Sequence, residues 1–220
     1  MALNPAFNSS TKPAPGALIT AAKDGDMQAV KELLQRGAAV DERDEQDNTP
    51  LTEAARAGCV QIMRVLIDKG ADINHKNKDG NSAILWCACL NHPDGVSLMI
   101  EKGADLNTQN IPGKNTPLIL AASYGYADIV RLLIDNGANL DLQDSSGDTA
   151  QTCAESRGQA ETAEILRNFA DSDARMAAEK IKTDAAEKER LIREAIELKR
   201  QRLREMALLH KPKINSGFKK

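Results

Sequence analysis

The sequence predicts an all-α solenoid of about five stacked helix-turn-helix units over residues 17–170, followed by a long C-terminal helix. Three observations carry this. Gly-Ala pairs recur at 37–38, 70–71, 103–104 and 137–138, at spacings of 33, 33 and 34 residues. A second series, Gly25, Gly58, Gly125 and Gly158, keeps the same register, with Asn91 where its third member belongs. From Asp171 to about His210 there is neither Gly nor Pro. A fixed period of this length marks an architecture in which each unit buries its apolar face against its neighbours.

Composition agrees. Hydrophobic residues make up 41% of the 220-residue chain and charged ones 28%, a soluble globular balance, but aromatics are only 3%. That is too few for one compact core of large side chains, whereas thin layers of Leu, Ile, Val and Ala account for it. Residues 1–16 have no basic start and no apolar run of signal-peptide length, and read as a flexible N-terminus. No segment approaches the ~20 apolar residues that span a bilayer. Cys59, Cys87, Cys89 and Cys153 lack the spacing of a disulfide framework, so a reducing, cytoplasmic setting is expected.

One unit shows the physics of all. Thr49 is suited to cap a helix, and Pro50 fits its first position because its missing N–H has no helical partner there. Ala54 and Ala55 keep that helix slim, and Gly58 can take the left-handed geometry that ends it. A second helix follows, with Ile62, Val65, Leu66 and Ile67 as its apolar set. Gly70 ends it, and Ala71-Asp72-Ile73-Asn74 leads into a turn near Asp79-Gly80. In the same register, Thr49-Pro50-Leu51 meets Ser82-Ala83-Ile84, Thr116-Pro117-Leu118 and Thr149-Ala150-Gln151. The pair Ala54-Ala55 meets Cys87-Ala88, Ala121-Ala122 and Ala154-Glu155. The one-residue excess falls near Ile111-Pro112-Gly113-Lys114, in a loop, where an insertion costs least.

The units are not equal. The first lacks the Thr-Pro start. The third reads Asn91-His92-Pro93-Asp94-Gly95, so Pro93 is expected to open its second helix and Gly95 to take the place of Ile62, making it the loosest layer. Glu32 replaces Val65 and Leu132 at one end, while Arg167 replaces Ile67 and Ile134, and Gln151 replaces Leu51 and Leu118, at the other. These polar substitutions mark the first and last units as caps.

Residues 171–210 read as a charged helix, rich in Ala, Glu, Lys, Arg and Leu, with pairs such as Glu189/Arg193 and Arg190/Glu194 four apart. Its apolar stripe is broken by Lys188 and Lys199, where a strong coiled coil would show a cleaner seam. Pro212 stops it, and residues 211–220 read as a basic, flexible tail. Residues 17–170 hold 14 Lys and Arg against 23 Asp and Glu, a balance of −9; residues 199–220 hold eight against Glu205 alone, a balance of +7.

The Thr-Pro-Leu start, the Ala-Ala pair, the Gly and the Gly-Ala-Asp close resemble the ankyrin repeat. Five units over about residues 17–170 carry the resemblance. The family's histidine after Thr-Pro-Leu is absent, replaced by Thr52, Leu85, Ile119 and Thr152. What the resemblance implies is a protein that binds another protein through its turn tips and the concave face of its first helices. The residue before the Ala-Ala pair and the two after it face that groove: Glu53, Arg56 and Ala57; Trp86, Cys89 and Leu90; Leu120, Ser123 and Tyr124; Cys153, Ser156 and Arg157. Arg56, Trp86, Leu90, Leu120 and Tyr124 are therefore candidate partner-binding residues, joined by Lys78 and Lys114 at the tips. Clustered exposed aromatic and aliphatic groups mark interfaces. For Trp86 and Leu120 the alternative is burial between adjacent helices.

Catalysis finds no support. His75, His92 and His210 are scattered, no Ser/His/Asp or Cys/His set is indicated, and no phosphate-binding glycine loop appears. Cys87 and Cys89 point different ways on one helix with no second pair, which argues against a metal. No cofactor and no small-molecule substrate are expected. Two functions remain. The first is a non-enzymatic scaffold or adaptor for a protein partner; the family includes eukaryotic adaptors and effectors exported by intracellular bacteria. The alternative is a nucleic-acid- or membrane-associated factor led by the basic tail, although Phe218 alone is poor provision for stacking on bases.

Overall fold

The computed structural model of the protein describes residues 13–209, with side chains through Ser172 and at scattered positions beyond. Most of the segment expected to be flexible at the N-terminus lies outside the described residues, as do His210 and the basic tail. Ten α-helices and no strand occur among the described residues. The first helices are α1 (Ala17–Lys23), α3 (Pro50–Arg56), α5 (Ala83–Cys89), α7 (Pro117–Tyr124) and α9 (Ala150–Ser156). The second helices are α2 (Met27–Gln35), α4 (Val60–Asp68), α6 (Pro93–Glu101), α8 (Ala127–Asp135) and α10 (Ala160–Leu209). The chain forms two compact units, residues 1–170 and 171–220.

Within the first unit the helices make two layers. α1, α3, α5, α7 and α9 lie side by side in chain order, and α2, α4, α6 and α8 form the second row. Contact is denser along the first row, because Ala21-Ala22, Ala54-Ala55, Cys87-Ala88 and Ala121-Ala122 are nearly or fully enclosed and let those helices approach closely. Between the rows lies a continuous apolar core in which Leu18, Leu51, Met63, Leu66, Leu118 and Leu133 have no exposed surface. Burying one such side chain stabilises by ~1.5–3 kcal/mol.

Helix starts follow the sequence where Thr is present. Thr49 Oγ1 accepts from the Thr52 N–H, and Thr52 Oγ1 accepts from the Thr49 N–H, a reciprocal cap of α3. Thr116 and Thr149 accept from Ile119 and Thr152 in the same way. Ser82 makes no such bond, and its Oγ is buried without a partner among the described residues. The first repeat, with no Thr-Pro, uses a carboxylate from the next turn: Glu42 accepts from the N–H groups of Gly16, Leu18 and Ile19 at 3.2, 2.8 and 3.0 Å. An anion at a helix N-terminus is stabilised both by those donors and by the helix dipole.

The third repeat corrects one expectation. Pro93 does open α6 with His92 before it, and Asn91, at φ +58°, takes the left-handed turn that Gly58 takes at +70°. The layer, however, has no gap at Gly95. A Cβ there would lie 2.7 Å from Cys87 Sγ, and Cys87 is itself fully buried. Cys87 stands where Ala54 and Ala121 stand, so the third repeat exchanges an alanine–isoleucine pair for cysteine–glycine and keeps the volume filled.

The fifth repeat differs at its end. The second helices of repeats one to four each end in a turn at Gly37, Gly70, Gly103 or Gly137, all with positive φ. Ala170 occupies that position in the fifth, and without a residue suited to the turn α10 runs on to Leu209. The second helix of the fifth repeat and the charged segment from Asp171 are thus one continuous helix. The polar cap expected at this end is a small network: Gln151 and Arg167 both donate to Glu155 Oε1, at 3.1 and 2.7 Å. Those bonds hold the Glu155 carboxyl below its ordinary value.

Candidate functional site

The groove side of the repeats is built from two kinds of element, the extended turns and the first helices. Each turn is organised by one Asx residue at a common register: Asp44, Asn77, Asn110 and Asp144. Asp44 Oδ1 accepts from the backbone N–H of Gln46 and Asn48, and Asn77 Oδ1 from Asp79 and Asn81. Asp144 repeats the pattern with Ser146 and Asp148. Asn110 reaches one residue further, to Asn115, which absorbs the inserted residue of the third loop. Successive turns are joined through the backbone, Lys78 N–H to Gln46, Ile111 N–H to Asp79 and Ser145 N–H to Gly113. At Asp44 partial burial opposes the charged form, but hydrogen bonds from the Asn48 side chain and from the backbone outweigh it and hold the carboxyl below its ordinary value.

Against this turn ladder the first helices present two different surfaces. Towards the N-terminal repeats there is a cleft of about 470 Å³ whose walls include Thr20 and Lys23 of α1, Glu53 and Arg56 of α3, and Trp86 of α5. Asp44 and Asp79 close it from the turn side. Glu53, expected from its register to face the groove, is only 4% exposed and lies in the floor. Its Oε2 accepts from Nε and Nη2 of Arg56 at 3.2 and 2.5 Å. Trp86 is half-buried, and its indole Nε1–H is enclosed with no acceptor among the described residues.

Towards the C-terminal repeats two large apolar side chains are exposed. Leu90 is 41% exposed at the end of α5, and Tyr124 is 47% exposed at the end of α7, the helix packed beside it. The Tyr124 ring stacks on Tyr126 at a centroid distance of 5.7 Å, and the Arg157 guanidinium lies 5.8 Å from its centroid. The ring is therefore held between a neighbouring aromatic and a cation, and little rotamer freedom remains to be lost on binding. Leu120 is half-buried one turn earlier on α7. Lys78 and Lys114 are exposed at the tips, where Lys78 Nζ donates to the Glu45 carbonyl at 2.6 Å.

Sequence reasoning did not find the cap by Glu42, the stacking of Tyr126 or the enclosure of the indole N–H. The first had a signal in the missing Thr-Pro start, which requires another group to satisfy the free N–H groups of α1. The second had one as well: Tyr126 follows the inter-helix Gly125, as Cys59 follows Gly58, and falls two residues beyond Tyr124.

The remaining chemistry of the site is quiet. Burial pushes the Cys87 thiol up to about 12 and raises Cys89, with a hydrogen bond from Tyr124 in opposition. Cys153 is raised by burial and, further, by the carboxylates of Asp144 and Asp148. These thiols stay protonated near neutral pH, the reverse of an activated nucleophile. Asp144, Asp148 and Cys153 bring potential ligand atoms within 4.8 Å of one another. Asp144 is already used there: Oδ1 holds two turn amides and Oδ2 accepts from the Cys153 thiol at 3.8 Å. No helix among the described residues is long and apolar enough to cross a membrane.

A family model described as ankyrin repeats in three copies matches residues 18–110 and 86–176. No individual curated protein matches the chain. The chain belongs to the ankyrin repeat family.

Proposed function

We propose that this chain is a non-catalytic adaptor that holds one protein partner across the groove of its first helices, with Leu90 and Tyr124 as the anchors. Ankyrin repeats generally mediate protein–protein interaction, which supports the class of function. The observation that carries the site is the pair of large apolar side chains left exposed on adjacent helices, one of them braced by Tyr126 and Arg157. Around them Arg56, Ser156 and Arg157 supply a polar surround that can be hydrated, the layout of an interface with an apolar centre and a wet rim. Trp86 and Leu120, partly covered, extend the same face inward, and Lys78 and Lys114 flank it at the turn tips. A cytosolic setting, whether in the cell that makes the chain or in a host that receives it, fits the cysteine spacing.

The test is Leu90→Ala with Tyr124→Ala in the full chain, checked for retained helicity and then for capture of a partner. Truncating a buried anchor costs ~2 kcal/mol or more, and rim changes much less. The double variant is expected to fold and to lose binding; unchanged affinity in a folded variant excludes the groove as the site. Raising the salt concentration separates the alternative, since a contact led by the basic tail weakens steeply with ionic strength and an apolar anchor does not.

A further inference from the structure

The repeats that carry the two anchors also carry most of the negative charge. Residues 17–85 hold nine Lys and Arg against twelve Asp and Glu, a balance of −3; residues 86–170 hold five against eleven, a balance of −6. Four of those five cations are engaged within the protein. Lys102 pairs with Asp68 at 2.9 Å, Arg131 with Glu161 at 3.6 Å and Arg167 with Glu155 at 2.7 Å, while Arg157 faces the Tyr124 ring.

The acids follow the register. The second residue of each second helix is, in turn, Gln28, Gln61, Asp94, Asp128 and Glu161. Repeats one and two place an amide there, and repeats three to five an exposed carboxylate. A carboxylate in the first turn suits the helix dipole, but that benefit is open to all five helices and does not select three of them. What the selected repeats share is the anchor surface: Leu90 and Tyr124 stand at the ends of α5 and α7, one short loop before α6 and α8.

The two features meet. A recess of about 360 Å³ opens among the inter-helix loops, and its walls include Asn91, Tyr126, Asp128 and Glu161. Asn91 follows Leu90 directly, and Tyr126 stacks on Tyr124. Apolar anchors, an aromatic ring and carboxylates are therefore one continuous surface. Asp94 and Asp128 make no ion pair among the described residues, and the pair of Glu161 with Arg131 is exposed, of a kind that contributes little. A Lys or Arg side chain fits such a surface, its apolar stem along the ring and its charge at the carboxylates. An anionic segment would meet like charge there.

Spacing narrows the occupant further. Packed helices stand ~8–10 Å apart, and residues at one register on neighbouring helices share about that spacing. A polyproline-II segment returns a side chain to the same side every three residues, or about 9 Å. A β-strand does so every two residues, or ~7 Å, and falls out of step. We propose that the edge formed by Asp94, Asp128 and Glu161, beside Leu90 and Tyr124, docks an extended basic segment of the partner with Lys or Arg at every third residue. An apolar residue of the same segment covers the anchors. This rests on the groove named above as the binding face and adds the charge and spacing of what it holds. Three exposed pairs give a shallower dependence on salt than the eight cations of residues 199–220 would, so ionic strength still separates the two contacts.

The experiment selects binders to the full chain from a library of random dodecapeptides and titrates the synthesised winners into it. Expected are peptides with Lys or Arg three residues apart and an apolar residue between them. Replacing those cations by Gln should weaken binding about tenfold, the combined effect of three exposed pairs. Asp94→Asn with Asp128→Asn and Glu161→Gln should lose a similar factor, and the Gln peptides should not distinguish that variant from the wild type. The peptide series is read on the unaltered protein, so the test stands even if the triple variant does not fold. Winners that need Leu90 and Tyr124 but keep their affinity when their cations are replaced overturn the basic segment and spare the groove. Winners that tolerate moving their cations to neighbouring positions overturn the spacing. A library that yields no peptide sensitive to Leu90→Ala with Tyr124→Ala, or to the triple variant, overturns both the edge and the groove. A full chain that self-associates, and that the triple variant splits into single copies, assigns the edge to a second copy and overturns the outside partner.

Discussion

The third and fourth repeats sit side by side and solve the same packing problem with different residues. The fourth caps α7 with Thr116, turns at Gly125 and fills its layer with Ala121 and Ile129. The third leaves Ser82 without a cap bond, turns at Asn91 and fills its layer with Cys87 against Gly95. Both layers are closed: Ile129, Cys87, Val96 and Met99 have no exposed surface. The difference teaches that a repeat keeps a volume and a set of satisfied groups, and that single positions are free to change only in compensating pairs.

The largest effect expected from this comparison comes from moving glycine into the fourth repeat. Ile129→Gly should destabilise by roughly 4 kcal/mol or more, a lost large side chain plus a helix glycine, because Ala121 cannot fill the space as Cys87 does. The mirror change, Gly95→Ile, should also destabilise, by about 1–2 kcal/mol, since overpacking against Cys87 Sγ outweighs the gain from removing a helix glycine. Adding Cys87→Ala to Gly95→Ile should recover most of that loss and recreate the fourth repeat's arrangement in the third. Urea titrations of the wild type, of these variants and of Cys87→Ala alone measure this. A stabilising Gly95→Ile would mean that the cysteine leaves room, and additivity of the two changes would mean that they do not share a site.

That pair also shows what the sequence could and could not disclose. The period, the Thr-Pro starts, the Gly turns and the Ala-Ala pairs were legible because each is one residue type with one backbone role at a fixed interval. Asn91 was legible as a stand-in for glycine because few other residues tolerate positive φ. The filled space at Gly95 was not, because it depends on Cys87, eight residues away on another helix, and a cysteine in an Ala-Ala slot reads as a conservative change. The cap of α1 by Glu42 was hidden for the same reason, as it joins groups that no local pattern connects. At the site, the groove-facing positions were legible from register. The burial of Glu53 and the enclosure of the Trp86 N–H were not, since register gives direction and only packing gives depth.

The second comparison concerns the caps, and its effect is smaller. Thr116→Ala should cost ~1 kcal/mol, the usual loss for a working N-cap. Ser82→Ala should change stability little or raise it slightly, because the hydroxyl is buried with no partner among the described residues and its removal deletes an unmet polar group. Equal losses at the two positions would show that Ser82 acquires a cap bond in solution and that the two repeats do not differ at their helix starts.

The smallest effect expected is an acid one, and it compares the first turn with the second. Asp44 and Asn77 hold the same place, each accepting from two backbone N–H groups, but only Asp44 titrates. Its carboxyl lies below the ordinary value in the folded chain, so the charged form is favoured by folding. The sign follows: a depressed carboxyl contributes stability above the unfolded value and loses it as pH falls through the folded one. Below about pH 4 the first turn should therefore weaken while the second, built on Asn77, does not. Asp44→Asn makes the first turn like the second, at a cost near neutral pH, because Asn48 Nδ2 then faces a donor where it now donates to Asp44 Oδ2 at 2.9 Å. The variant should start slightly less stable at pH 7 and lose less on going to pH 3. If unfolding midpoints of wild type and variant fall by the same amount over that range, the acid sensitivity of the repeats lies elsewhere and the two turns are equivalent.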